Sequence, residues 1–422
     1  MNSRLRIIVT GLIAQHPTLG GVTWDYLQYM LGLHRLGHDV FYFEDSGEWP
    51  YNLDGGSTGN DWVARDPSAN INHLASIMSR FDMEGRWAYH FPIDDRWFGL
   101  TDSKRKEVLQ TADLLINVSG TLMDLSEYKL IPRRAYIDSD PVFTQLKLTL
   151  GNLEFRDRVN AHNVHFTFGE TLFPHYVPDT GHFWRPTRSP IVIDEWSSSQ
   201  PVRDVFTTVM NWTSYKPLQY EGRVYGQKDI EFRKFLQLPK LVGGDARFEI
   251  AMPSLHHLDW ETEHAASSSA TESNQPLSPV ARLAQHGWSV VKPADHCGTL
   301  DDYRKYVQSS MAEWSVAKNG YVQGQSGWFS CRSSCYLAAG RPIVVQDTGF
   351  SKVIPTGRGI LTFKTLDEAV QAVRAVSGNL KQHSAAAREC AAEYFDARVI
   401  LPQLIEEAMR AVARPATSEM TI

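Results

Sequence analysis

The opening stretch constrains the fold more than any other part of the chain. Residues 4–12, RLRIIVTGL, form a continuous apolar, β-branched run, and the turn-rich AQHPTLGG follows. From about Thr23 to Leu36 a helix is predicted, with Val22, Tyr26, Met30, Leu33 and Leu36 on one stripe at helical spacing. Gly37 stops it, and HDVFYFED reads as a second strand. Strands that are apolar on both sides must be covered on both faces, so this β-α-β unit implies a parallel sheet between helices.

The alternation continues with strands at DLLINVSG, RRAYIDSDP and NVHFTFGE, and a helix at TDSKRKEVLQTA before the first of these. Residues 46–68, rich in Gly, Asp, Ser and Trp, read as a long functional loop. The proline-bearing HFWRPTRSPIVIDEWSSSQP reads as a connection, after which a second alternation begins at DVFTTVMNW. Within it, TEHAASSSATESNQPLSP is a polar, low-complexity insertion expected to be a mobile surface loop. TLDEAVQAVRAV is a helix opened by a Thr365–Glu368 capping box. A chain of 422 residues exceeds what one core supports. The expected class is therefore α/β with two domains: residues 1–185, a linker at 186–204, a second domain at 205–395, and a helix and tail at 396–422 that pack back on the first. Ligands in such sheets bind at the carboxyl ends of the strands, which here face a cleft.

A net charge of −6 argues against a nucleic-acid partner, which would need a basic face. Four cysteines make no disulfide framework; Cys331 and Cys335 have no second Cys/His pair to complete a zinc site and read as buried thiols. The short apolar run at the start reads as a strand rather than a leader, and no segment approaches the roughly 18 apolar residues of a membrane span. The expectation is a soluble, cytoplasmic protein.

Ser315–Phe350 carries the most chemistry. A loop rich in Gly, Gln and Ser runs into a helix opening near Ser330 to Ser333, so loop amides and a helix N-terminus converge on an anion site suited to a diphosphate. Ser326, Ser330 and Ser333 offer hydroxyls, and Arg332 a bidentate cation. The next strand ends at Gln346-Asp347-Thr348-Gly349, placing Asp347 and Thr348 at the cleft. The alternative is an ordinary α/β turn with an exposed arginine.

The tail Y-L-A-A-G-R-P-I-V-V-Q-D of this segment resembles the E-A-M-A-x-G-x-P-V-V donor-site helix and strand of GT-B glycosyltransferases. The early G-G-V-T-W-D-Y-L-Q-Y-M-L-G-L-H-R-L-G-H-D-V is similar to their opening Gly-Gly loop, helix and strand. R-P-T-R-S-P and S-G-W-F-S-x-R resemble a bacterial subgroup of that family. The resemblance spans essentially the whole chain and implies two Rossmann-like domains facing a cleft. It implies transfer of a sugar from a nucleotide-diphosphate donor, without bound metal or cofactor, to a hydroxyl of a small molecule, polysaccharide or lipid. Many retaining members carry two glutamates eight apart; Gly327 and Cys335 stand at those positions.

On the resemblance, Lys216 and Arg223 are the candidate diphosphate cations, with Gly327 beside the serines. His16, Asp140 and Glu170 are candidate catalytic bases, and Gly20, Gly21 and Asp25 the acceptor-side set. Asp25, read in the first helical turn, alternatively only complements the helix dipole. Asp138-Ser139-Asp140 also spells the metal-binding D-x-D of single-sheet GT-A enzymes, a reading disfavoured by the second α/β half. A Rossmann oxidoreductase is disfavoured because the first loop lacks G-x-G-x-x-G spacing. A nucleotide-sugar epimerase and an inert nucleotide-sugar binding protein remain as alternatives.

Overall fold

The computed structural model describes residues 4–52, 63–172, 177–197, 201–253 and 279–410. The polar insertion, apart from its last residue, and part of the loop predicted at 46–68 lie outside the described residues.

The first domain is built on eight strands: β1 (Arg6–Thr10), β2 (Asp39–Glu44), β3 (Trp87–Phe91), β4 (Arg96–Gly99), β5 (Leu114–Val118), β6 (Arg133–Asp138), β7 (Val164–Thr167) and β8 (Trp184–Pro186). They lie in the order β4-β3-β2-β1-β5-β6-β7-β8. Every pairing is parallel except β3 with β4. β1 is central, and its Ile7, Ile8 and Val9 are wholly buried, as a strand covered on both faces requires.

The second domain has β9 (Phe206–Val209), a hairpin of β10 (Leu218–Tyr220) and β11 (Arg223–Tyr225), then β12 (Phe248–Ala251), β13 (Trp288–Val291), β14 (Ala312–Ser315), β15 (Ile343–Gln346) and β16 (Ile360–Phe363). Its six-stranded sheet is parallel throughout, in the order β13-β12-β9-β14-β15-β16. The architecture is α/β with two Rossmann-like domains.

The first helix spans Gly20–Arg35, beginning a turn earlier than its periodicity predicts. Leu19 and Gly20 offer no side-chain cap, so the helix opens with unsatisfied N–H groups. Gly37, at φ +90°, takes the left-handed turn that ends it. The earlier start moves Asp25 into the second turn, away from the dipole role that a first-turn position would give.

The segment read as a connection begins later than its prolines suggest. Trp184–Pro186 is an edge strand on β7, where a proline costs no ladder hydrogen bond. The helix Ala397–Arg410 returns to the first domain: a Cβ at Gly32 would lie 2.5 Å from a Leu401 methyl. The two crossings between domains are tied by backbone bonds from Ile191 N to Phe395 O and from Ala397 N to Ile191 O, each 2.8 Å.

The domains also meet directly. A Cβ at Gly20 would lie 2.0 Å from the Thr299 carbonyl oxygen, so only glycine permits this approach. Trp24 donates its indole N–H to Leu300 O at 2.9 Å and packs on Trp196, ring centroids 4.9 Å apart; Trp196 in turn meets Tyr303 edge-on. Each such aromatic pair adds about 0.5–1.5 kcal/mol beyond its burial.

Candidate active site

A cleft of about 370 Å³ opens where the carboxyl ends of the second sheet face the first helix. Its first-domain wall is Leu19, Gly21, Val22 and Asp25. The opposite wall follows the sheet order. Pro293 comes after β13, Pro253 after β12, Met210 and Asn211 after β9, and Lys318 and Tyr321 after β14. Ser330, Cys331 and Arg332 open the helix Cys331–Ala338, whose N-cap Ser330 makes no side-chain cap. Two helices, one from each domain, thus bring uncapped N-termini to one cleft, each with the partial positive charge of its orphan amides.

Three cations line the same space: Lys228, Lys318 and Arg332. Two are matched by carboxylates. Arg332 Nε donates to buried Glu313 Oε1 at 2.6 Å, and its Nη1 to Val209 O at 2.8 Å. Lys318 Nζ reaches Asp140 Oδ1 at 2.9 Å. Lys228 makes no ion pair among the described residues; Glu313 reaches it only through its charge. Burial, reinforced by the charges of Arg332 and Lys318, holds its pKa well below the ordinary lysine value.

Lys228 was not a sequence candidate, and its position is set from afar. Glu231, three residues on and fully buried, accepts from Asn319 Nδ2 at 2.7 Å and Gln346 Nε2 at 2.6 Å. Asn319 Oδ1 also accepts from Gly226 N at 3.0 Å. These bonds anchor Gly226-Gln227-Lys228 against the end of β14. The sequence signal was faint: a lysine opening the short helix Lys228–Phe232, two residues after Gly226. The cations proposed instead, Lys216 and Arg223, are both exposed and outside the cleft lining, Arg223 on the β10–β11 hairpin.

Of the other donor-side candidates, Ser330 and Arg332 face the cleft, while Ser326, Gly327, Ser333, Asp347 and Thr348 do not line it. Ser326 and Gly327 form a seam between domains: Ser326 O accepts from Thr171 N at 2.9 Å, and Gly327, at φ +78°, would carry a Cβ 2.7 Å from Thr171 Oγ1. Thr348 Oγ1 is spent on Trp328 O at 2.6 Å. Asp347 caps its own turn through Gly349 N and Ser351 Oγ, both at 2.9 Å. Ser333, within the helix Cys331–Ala338, is buried beside Gln346 and Phe350.

The three candidate bases are each engaged. Asp140 lies outside the cleft lining and joins the two domains, taking hydrogen bonds from Lys318, Tyr321 and Tyr215. Burial pushes its carboxyl up, but Lys318 and the two phenols outweigh that and hold it below the usual range. Glu170 is clasped by both arms of Arg188, at 2.6 and 2.7 Å, and lines other cavities. His16 stacks on Tyr51, ring centroids 4.8 Å apart, and burial lowers its pKa to about 4. Its ring is therefore neutral at pH 7.

The acceptor-side set is split. Gly20 is buried against Thr299 of the second domain, while Gly21 and Asp25 line the cleft. Burial raises the Asp25 carboxyl to about 6, against the lowering effect of the Cys331 thiol and the Arg332 charge. Among the described residues no group of three or more His, Cys, Asp or Glu side chains gathers as a metal site. All four cysteines are free, and no described helix is long and apolar enough to cross a membrane.

This chain has the GT-B glycosyltransferase fold. An alpha-glucosyltransferase solved with UDP and a 13-mer DNA superposes with a TM-score of 0.59 at 11% identity, over 97% of this chain and 100% of the other. HepE from Anabaena, solved with UDP-glucose, superposes with a TM-score of 0.53 at 11% identity, over 96% and 99%. No family model matches the sequence, and no curated protein does.

Proposed function

We propose that the protein transfers a sugar from a nucleoside-diphosphate donor to an acceptor hydroxyl, with the donor held mainly by the second domain. One observation carries this reading: two uncapped helix N-termini and the unmatched cation Lys228 converge on a cleft at strand carboxyl ends. A diphosphate supplies the negative charge that this arrangement lacks, and fixed dipoles aimed at a leaving diphosphate stabilise its departure. Lys228, Arg332 and the amides around Ser330 are the diphosphate ligands in this reading. Lys318, tied to Asp140, closes the site from the side. These cations do the work a metal does elsewhere, so the transfer is read as metal-independent. The fold neighbours solved with UDP or UDP-glucose support the donor class. The alpha-glucosyltransferase was solved with DNA; the net charge of −6 here favours a small-molecule or glycan acceptor instead.

Calorimetric titration with UDP, GDP, CDP, dTDP and ADP tests the reading. At least one diphosphate should bind, and Lys228→Ala should weaken it about tenfold or more, as loss of a charge-assisted contact does. Failure of all five to bind sinks the proposal. A second reading, binding without transfer, is favoured by Gly327 and Cys335 standing where many relatives by resemblance carry glutamates. Turnover of the matching nucleotide sugar, by hydrolysis or transfer, separates the two.

A further inference from the structure

The cleft contains one carboxylate with nothing adequate to hold. Asp25 projects from the second turn of the helix Gly20–Arg35 into the space bounded by Tyr303, Cys331 and Arg332. Elsewhere, three buried carboxylates among the described residues are satisfied. Asp138 takes Thr144, Gln145 and Thr167 at 2.6–3.0 Å, Glu231 takes Asn319 and Gln346, and Glu44 takes two backbone amides and a phenol. Among the described residues, Asp25 receives no amide, hydroxyl or cation hydrogen bond; the weak thiol of Cys331 faces it and the Arg332 guanidinium acts through its charge. A partly buried carboxylate with spare acceptor sites in a ligand cleft calls for O–H or N–H donors from the ligand.

The layout of the cleft says which part of a ligand meets it. The β13 and β12 side ends in Pro293 and Pro253, a pair of non-donating, flat surfaces suited to a base. The β9 and β14 side carries Lys228, Arg332 and Lys318, suited to phosphate. In a nucleoside diphosphate the ribose joins these two parts. Asp25 shares the lining with both parts and borders Cys331 and Arg332, at the start of the helix Cys331–Ala338, and Tyr303. From this we infer that Asp25 is a specificity-determining residue that accepts hydrogen bonds from the ribose 2′- and 3′-hydroxyls of the donor. The first domain would then read the nucleotide held by the second, and ribose would be distinguished from deoxyribose across the cleft. The inference rests on the nucleoside-diphosphate reading above.

The experiment takes the tightest-binding ribonucleoside diphosphate of UDP, GDP, CDP and ADP. It compares that ligand with its 2′-deoxy counterpart on the wild type, Asp25→Asn, Asp25→Ala and Lys228→Ala. The wild type should prefer the ribo form by about tenfold, the effect of one hydrogen bond to a charged acceptor. Asp25→Ala should bring that ratio close to one. Asp25→Asn, which keeps the shape and guards against a folding defect, should leave an intermediate ratio. Lys228→Ala should weaken both ligands equally and leave the ratio intact. If the wild type binds diphosphates but shows no ribo preference, or if Asp25→Ala retains it, the assignment of Asp25 is overturned while the donor-site reading stands. An Asp25→Asn protein that loses turnover with an unchanged ratio would mark Asp25 as a proton acceptor and would equally overturn it. Absence of binding by any diphosphate overturns both.

Discussion

Glu44 anchors the loop that leads into the first helix. Its two carboxylate oxygens accept from Ala14 N at 2.8 Å, Gln15 N at 2.6 Å and the Tyr42 hydroxyl at 2.6 Å, and the side chain is wholly buried. Burial nonetheless wins and raises its pKa from 4.5 to about 7. The folded protein therefore keeps a proton that the unfolded chain has released between those values. The stabilising contribution is fully present below pH 4.5 and is lost as pH rises through about 7. Urea unfolding of the wild type and Glu44→Gln at stepped pH should show the difference between them changing against the wild type by roughly 3 kcal/mol between pH 4.5 and 7.5. A pH-independent difference would mean that Glu44 stays ionised throughout. The buried histidines follow the opposite sense: His162, lowered to about 3 mainly by burial, weakens the fold only as pH falls through the range between its unfolded and folded values. This is why the paired comparison is needed.

At the level of elements, the helix Cys331–Ala338 is held to β14 by the Arg332–Glu313 pair, with Glu313 fully buried. Removing one partner strands the other charge, so Glu313→Ala should cost about 3–5 kcal/mol in chemical denaturation. The double change Glu313→Leu with Arg332→Met should recover much of that stability yet still bind diphosphate poorly. Recovery of binding in the double variant would exclude Arg332 from the site. Elements of this kind were legible where local rules decide them. Thr365 and Glu368 do form both bonds of the capping box, and RPIVVQD and WSVVKP are buried or half-buried strands. β8 was hidden by its proline, which is tolerated only because the strand lies at the edge of the sheet. Lys228 was hidden for a different reason. Its orientation depends on Glu231 bonds to residues 88 and 115 positions away, and no periodicity reports such a bond. Ser326, Gly327 and Thr348 stood out for their composition, but the Ser326 carbonyl is taken by Thr171 N, the Gly327 amide by Thr348 O, and the Thr348 hydroxyl by Trp328 O.

Across the whole molecule, the two domains approach more closely than their sequences indicate. Gly20→Ala places a methyl 2.0 Å from the Thr299 carbonyl oxygen, which neither backbone can yield without parting the domains. We expect about 1–3 kcal/mol of lost stability and a larger radius of gyration by small-angle scattering; an unchanged radius would show that the contact relaxes locally. The division into two sheets was readable from the repeated alternation of strands and helices, but the seam between them was not, since it is built from single glycines and aromatic rings far apart in the chain. One further consequence follows from the pair of crossings stitched together at Ile191, Phe395 and Ala397. Two strands of polypeptide fastened side by side behave mechanically as a flexure, not as a tether. They resist sliding and twisting and leave rotation about the stitch as the soft coordinate. Opening would then resemble a book turning on its spine, with small angular changes at the stitch magnified at the far rim of the cleft.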